Sequence, residues 1–312
     1  MNCFNTGKNC ISLTKKPLIK VQRYNTNSIT NPNINYSTAL VKKHDYENFI
    51  CTLLLKGSLR TSAFAVRSFN VEISKIAEQT SQPSLALMRM KFWEDAINNC
   101  YSKNINKVPK QPVALELFKA ITASNLTKRY FNNLIKGRRD YFLNNTFPDV
   151  ETLEKYFEYS ISNVYYLILE ACNVRNVSAD HAASHLGKAQ GLVQQLRSTT
   201  VAKKLNLITL PQTILIKYNV SHEEIFRGKS SDRLSDCTYE VASQAHYHLK
   251  KCRDILKSVP LEARSVLLPA VTVENYLNNL HKANYDVFHP NLQRRTWIWM
   301  PKLWYKNFVC KY

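Results

Sequence analysis

Apolar residues recur every three or four positions through most of the chain after residue 45. Ala63, Val66, Phe69, Ile73 and Ile76 form one series, and Leu85, Met88, Phe92, Ala96 and Cys100 a second. Val150, Leu153, Phe157, Ile161, Val164, Ile168 and Ala171 form a longer third. Ala182, Leu186, Ala189, Val193 and Leu196 follow, and Ala242, Ala245, Leu249, Cys252, Leu256 and Val259 close the pattern. At 3.6 residues per turn, each series lies on one face of an α-helix. Asp149, after Pro148, is placed to cap the third helix, with Glu151 and Glu154 favouring its positive end. Ser178 is placed to cap the fourth. Breaker clusters at Ser102–Pro112, Thr199–Pro211 and Arg227–Asp232 predict loops. Neither a repeat nor a long internal linker divides the chain, so the pattern predicts one all-α domain of about nine to twelve helices.

Composition narrows the chemistry. Glycine occurs only 6 times in 312 residues. Neither G-x-G-x-x-G nor G-x-x-x-x-G-K-[ST] is present, which argues against dinucleotide and P-loop folds. The eight cysteines are scattered without a C-x-x-C pair and read as reduced, mostly apolar side chains. Apolar runs stay far below the length of a membrane-spanning helix.

Charge is one-sided, with 43 Lys and Arg against 23 Asp and Glu, a net +20. Residues 1–44 contain no acid and carry Lys8, Lys15, Lys16, Lys20, Arg23, Lys42 and Lys43. An acid-free, basic, hydroxyl-rich leader predicts a mitochondrial transit peptide or a basic arm. The other end, residues 291–312, interleaves aromatic rings with cations. Trp297, Trp299 and Trp304 stand there with Tyr305, Phe308 and Tyr312, among Arg294, Arg295, Lys302, Lys306 and Lys311. Such a tail suits the headgroup layer of an anionic membrane, with the three Trp as contacts, or it folds its rings back on the core. RNA stacking is a third use of such residues, but no RNA-binding signature accompanies them and no nucleic acid is expected.

Other candidate sites are weak. His181 and His185 are four apart on a helix, but a third metal ligand is missing. His246 and His248, two apart, point in different directions. Asp232, Asp236 and Glu240 recur at steps of four and read as an acidic helix start. Gly187 and Gly191 interrupt a helix otherwise built for packing, which implies close helix approach or room for a ligand.

Several stretches together resemble the squalene/phytoene synthase superfamily. They are Phe64–Ile73, Met88–Trp93, Pro112–Ala114, Asn125–Arg129, Asp180–Gly191 with Leu196-Arg197, Leu210-Pro211, Ala242–His246 and Phe288–Pro290. The resemblance covers residues 45–290, which bounds the helical domain, and implies an all-α isoprenoid synthase fold around a central cavity. It is nearest to the branch of the superfamily that serves the assembly of mitochondrial respiratory complex I. Catalytic members carry two aspartate-rich motifs at the cavity mouth that hold Mg²⁺ and diphosphate. By an ungapped reading, the first motif falls on Ser74, Lys75 and Glu78 and the second on Ser198 and Ala202. Only Glu78 is acidic, and Mg²⁺ needs hard oxygen ligands. The resemblance therefore implies a pseudoenzyme with no catalytic residue, metal or cofactor. It implies an assembly factor on the matrix side of the inner membrane, peripherally attached, meeting complex I subunits or intermediates at an early membrane-arm stage. The alternative it leaves is an isoprenoid- or lipid-binding protein, or a residual prenyl transferase, using the same cavity.

Overall fold

The computed structural model describes residues 32–80, 82–144, 146–205, 207–294, 297 and 299–312. Residues 1–31, and with them most of the predicted transit segment, lie outside the described residues. Among the described residues every regular element is helical. In chain order these are α1 (Pro32–His44), α2 (Tyr46–Leu53), α3 (Gly57–Gln79), α4 (Pro83–Cys100), α5 (Pro112–Ser124) and α6 (Lys128–Asn144). Next come α7 (Val150–Phe157), α8 (Asn163–Ala171), α9 (Val177–Ser198), α10 (Ala202–Leu205), α11 (Gln212–Lys217) and α12 (His222–Arg227). The last are α13 (Asp232–Asp254), α14 (Leu261–Arg264), α15 (Ala270–Lys282), α16 (Pro290–Gln293) and α17 (Trp299–Phe308). The number exceeds the nine to twelve expected because α10, α11, α12, α14 and α16 are pieces of four to six residues, too short to show a periodic face.

Local chemistry sets most boundaries. Asp149 caps α7 as expected, its carboxylate accepting from the Thr152 amide at 2.7 Å. Asn176, not Ser178, caps α9, accepting from the Ala179 amide at 3.0 Å. Ser231 caps α13, which leaves Asp232 in the first turn where its charge favours the helix dipole. In a chain so poor in glycine, asparagine takes over the left-handed positions. Asn125, Asn173, Asn219 and Asn284 all have φ between +48° and +61°.

The predicted apolar faces of α3, α9 and α13 are buried as a common core. The face of α4 is different. Ala96 and Cys100 are buried as expected, but Met88 is 68% exposed and Leu85 and Phe92 are also exposed, while Ala86, Met90, Trp93 and Ile97 point inward. Trp93 meets Phe69 edge to face with centroids 5.4 Å apart, so the larger ring decides which side of an ambiguous helix turns in. The third series is not one α-helix either, because a π-turn over Glu158–Ser162 joins α7 to α8.

Helix α9 runs through the centre and packs most extensively on α13. Its glycines serve close approach rather than a ligand. A Cβ on Gly187 would come within 2.8 Å of the Ser162 backbone, and one on Gly191 would enter the Phe157 ring. Phe157 precedes the π-turn and Ser162 ends it, and the extra residue of that turn brings its backbone against α9.

Helix α1 belongs to the folded body although it falls in the stretch read as an N-terminal arm. It packs on α3 and α5, and Val41 sits in a small cluster with Phe49 and Phe64. The aromatic tail is also part of the body, since α17 packs on α15. One compact unit spans Asn31–Tyr312.

Gly187→Ala should destabilise the protein by about 3 kcal/mol or more, because backbone rather than a mobile side chain must give way. Chemical denaturation measures this, and an unchanged unfolding free energy would show that α9 does not touch the π-turn so closely.

Candidate functional site

A cavity of about 720 Å³ opens among α3, α6, α9, α15, the α1–α2 corner and the start of the C-terminal segment. Its wall on α9 is Gln190, Val193, Gln194 and Arg197, a helical stripe at steps of three and four. On α3 the wall is Asn70, Val71 and Ser74. Opposite stand Asn275, Tyr276 and Asn279 of α15, while Arg138 of α6 and Arg294 add cations. Carboxamides, guanidinium groups and aromatic rings thus dominate the lining.

Two carboxylates face this space, and neither is free. Glu47 accepts two parallel bonds from Arg197, Nη1 to Oε2 and Nη2 to Oε1, each 2.9 Å. The Arg197 guanidinium also lies 4.5 Å over the Tyr276 ring. One cation therefore ties α9 to α2 and α15 at once. Asp45 accepts from the Asn48 amide at 2.9 and 3.0 Å. Burial pushes its carboxyl above the ordinary range, opposed by the nearby Arg67 cation and the Asn48 donor. Arg67 itself is buried, with its guanidinium 5.6 Å over the Tyr165 ring. The Tyr165 hydroxyl donates to Gln190 on the cavity wall.

The positions read as the two aspartate-rich motifs do not converge on this mouth. Ser74 lines it, its hydroxyl turned back to the Val71 carbonyl at 2.8 Å. Lys75 reaches the edge through its ammonium, 3.1 Å from His44 Nε2. Burial and the Lys75 and Lys43 cations hold the His44 imidazole below its ordinary value, which suits it to accept that bond. Glu78 is exposed and lies outside the lining. Ser198 donates back to the Gln194 and Gln195 carbonyls, and Ala202 is fully buried. The physical reason is the 3₁₀ turn Thr199–Val201 after α9, which swings Ala202 into the core and leaves Arg197 as the last side chain on the cavity stripe.

Mg²⁺ with diphosphate, the group the fold family implies, does not fit these residues. Hard-oxygen ligation needs several free carboxylates, and the two at the mouth are engaged by Arg197 and Asn48. Among the described residues no group of three or more His, Cys, Asp or Glu side chains could hold a metal ion.

The histidines also pair differently from their spacing. His185 faces His248, with the Nδ1 atoms 2.9 Å apart, rather than His181. His248 Nε2 in turn lies 3.0 Å from Glu154. This chain of contacts joins α9, α13 and α7 in the packed body.

The three tail tryptophans separate. Trp299 is 6% exposed and lies inward, so it is not a membrane contact as it stands. Trp297 and Trp304 are 66% and 65% exposed. Trp297 precedes α17, and Trp299 and Trp304 part because that helix has two faces. Trp299 and Leu303 pack inward, while Glu274 of α15 pins the helix by accepting from Lys302 at 2.6 Å and from Arg253 at 2.7 Å. Burial alone would raise the Glu274 carboxyl, but these two cations hold it down at about 2.

The squalene/phytoene synthase profile matches residues 41–298. The chain belongs to that family. It is similar to a bovine (Bos taurus) protein named NADH dehydrogenase (ubiquinone) complex I, assembly factor 6, at 40% identity over 89% of this chain and 82% of that protein. The Drosophila melanogaster homolog of the same name is 38% identical over 88% of this chain and 83% of its own length. Among solved structures, a dehydrosqualene synthase in complex with ligand superposes with a TM-score of 0.76. It is 18% identical, covering 89% of this chain and 96% of that one. At that identity the match shows the shared all-α isoprenoid synthase fold.

Two outcomes follow from the ion pairs. A double-mutant cycle with Arg197→Ala and Glu47→Gln should give a coupling energy of about 1 kcal/mol, modest because both side chains are about one-third exposed. Strict additivity would mean that the pair does not hold the cavity wall. Glu274 should add stability above about pH 4.5 that is lost as the pH falls through about 2, since its folded value is depressed from 4.5. Glu274→Gln should flatten unfolding curves across that window and cost roughly 1–2 kcal/mol at neutral pH. Identical pH dependence in the variant would contradict the assignment.

Proposed function

We propose that this protein is a non-catalytic assembly factor for mitochondrial respiratory complex I. It acts on an early membrane-arm stage, on the matrix side of the inner membrane, through subunits or assembly intermediates, and attaches to that membrane peripherally. An import leader lies ahead of α1, in the acid-free stretch that begins the chain.

The observation that carries the non-catalytic reading is the state of the mouth carboxylates. In an isoprenoid synthase, ionising an allylic diphosphate needs carboxylates free to bind Mg²⁺, because the metal draws negative charge from the leaving group. Here Glu47 is committed to Arg197, and Asp45 to Asn48 beside the Arg67 cation. Ser74 is the one motif position on the wall, and its hydroxyl is spent on a backbone carbonyl. The names of the similar bovine and Drosophila proteins support the assembly role. No helix of the described residues is long and apolar enough to cross a membrane, which is compatible with peripheral attachment.

The alternative, an apolar isoprenoid or prenyl transfer in the same cavity, draws little from the lining. Carboxamides and guanidinium groups are poor partners for a hydrocarbon chain, since burying them without hydrogen bonds is costly.

Cells lacking the protein should lose assembled complex I while other respiratory complexes persist, as blue-native gels would display. Folded protein supplied with Mg²⁺ and farnesyl or geranylgeranyl diphosphate should leave the diphosphate intact. Normal complex I in the depleted cells, or steady release of pyrophosphate in vitro, would overturn the proposal.

A further inference from the structure

A second cavity, about 500 Å³, lies between the α2–α3 corner, α14 and the end of α17. Sequence periodicity gives no hint of it, because its walls come from stretches far apart in the chain, at residues 54–59, 172, 261–268 and 306–311. Leu54, Leu59, Leu261 and Leu268 form an apolar trench with Phe308 at its side. Lys56, Lys306 and Lys311 stand on the same groove, joined by Arg264 against the single carboxylate of Glu262. The apolar surface continues outward. Leu261 is 60% exposed and Phe308 76%, and Phe308 stacks on the exposed Trp304 with ring centroids 6.2 Å apart.

The two halves of this site call for two kinds of partner chemistry in one molecule. A small anion would use the ammonium groups and leave the leucine trench wet. An apolar peptide would fill the trench and leave an excess of cations unanswered. An amphiphile with a hydrocarbon chain and a phosphate satisfies both, and the groove volume falls within the usual ~300–1,000 Å³ of small-ligand sites. Exposed Trp and Phe beside lysines are also the residues that settle at the boundary of headgroups and acyl chains. The cavity of the candidate site offers no such trench, because its few aliphatic side chains are interspersed with carboxamides and guanidinium groups.

We propose that this groove seats an anionic phospholipid of a bilayer surface. An acyl chain lies along Leu54, Leu59 and Leu261, the phosphate meets Lys306 and Lys311, and the Trp304–Phe308 ridge enters the headgroup layer. The inference rests on the peripheral-membrane reading above and gives it a location. Trp299 takes no part, and Lys302 is occupied by Glu274.

The test is co-sedimentation of the full chain with vesicles of phosphatidylcholine alone or with added phosphatidylglycerol. Wild-type protein should prefer the anionic vesicles, and the preference should weaken with salt. Lys306→Glu with Lys311→Glu should weaken binding at least tenfold, since each surface lysine contributes roughly fivefold. Phe308→Ala, at an exposed position that leaves the core intact, should weaken it several-fold. Lys250→Glu with Lys251→Glu on α13 changes the net charge equally and should leave binding within about twofold of wild type. If the α13 pair weakens binding as much as the groove pair, attraction is by net charge and the groove is not a site. Groove variants that bind like wild type would place the contact elsewhere while leaving peripheral attachment standing. Groove variants that bind vesicles normally yet fail to restore complex I would make the groove a protein-docking site instead. Wild-type protein that ignores anionic vesicles would remove both this inference and the membrane reading.

Discussion

The approach of α9 to the π-turn at residues 158–162 is the constraint from which the rest of the site follows. Without side chains at Gly187 and Gly191, the backbone of α9 meets the Ser162 backbone and the Phe157 ring at distances that a Cβ would forbid. The approach fixes the rotation of α9 about its axis. Once that rotation is set, Gln190, Gln194 and Arg197 must face the cavity, and Ala182, Leu186 and Ala189 must face the core. The π-turn brings its neighbour α8 to the position where Tyr165 reaches Gln190 and lies under Arg67. A one-residue insertion in a helix therefore organises a polar interior network that spacing alone would not suggest.

Both carboxylates at the cavity mouth are answered within the protein. Arg197 holds Glu47 with both terminal nitrogens and covers Tyr276 with its face, so α2, α9 and α15 share one anchor. A metal-dependent relative would need its carboxylates to point at solvent and metal. Here they point at guanidinium and amide. Fold and chemistry are separable properties, and a helical body of this family can keep its packing while the residues at its mouth take on structural work.

The ends of the chain carry the surface character. α1 closes over α3 and α5 although its sequence looks like the basic arm before it. α17 is divided lengthwise, with Trp299 and Leu303 inward and Trp304, Tyr305 and Phe308 outward. Glu274 fixes which face is which by holding Lys302 against α15. Aromatic residues that read as one uniform tail thereby become a buried anchor on one side and an exposed ridge on the other.

The helical class, the capping of α7 by Asp149 and the inward faces of α3, α9 and α13 could be read from the chain alone, because each depends on residues within one or two turns. The family could be read too, since its short motifs occur in order over most of the chain. The inward face of α4 could not, because Met88 and Phe92 compete with Trp93 for the same core and only Phe69 decides between them. Nor could the pairing of Glu47 with Arg197, of His185 with His248, or of the α2–α3 corner with α17. Those partners are far apart in sequence, and periodicity reports only which way a side chain leaves its own helix. What it meets there is decided by how helices are rotated and placed against one another, and that is settled by packing of the whole body.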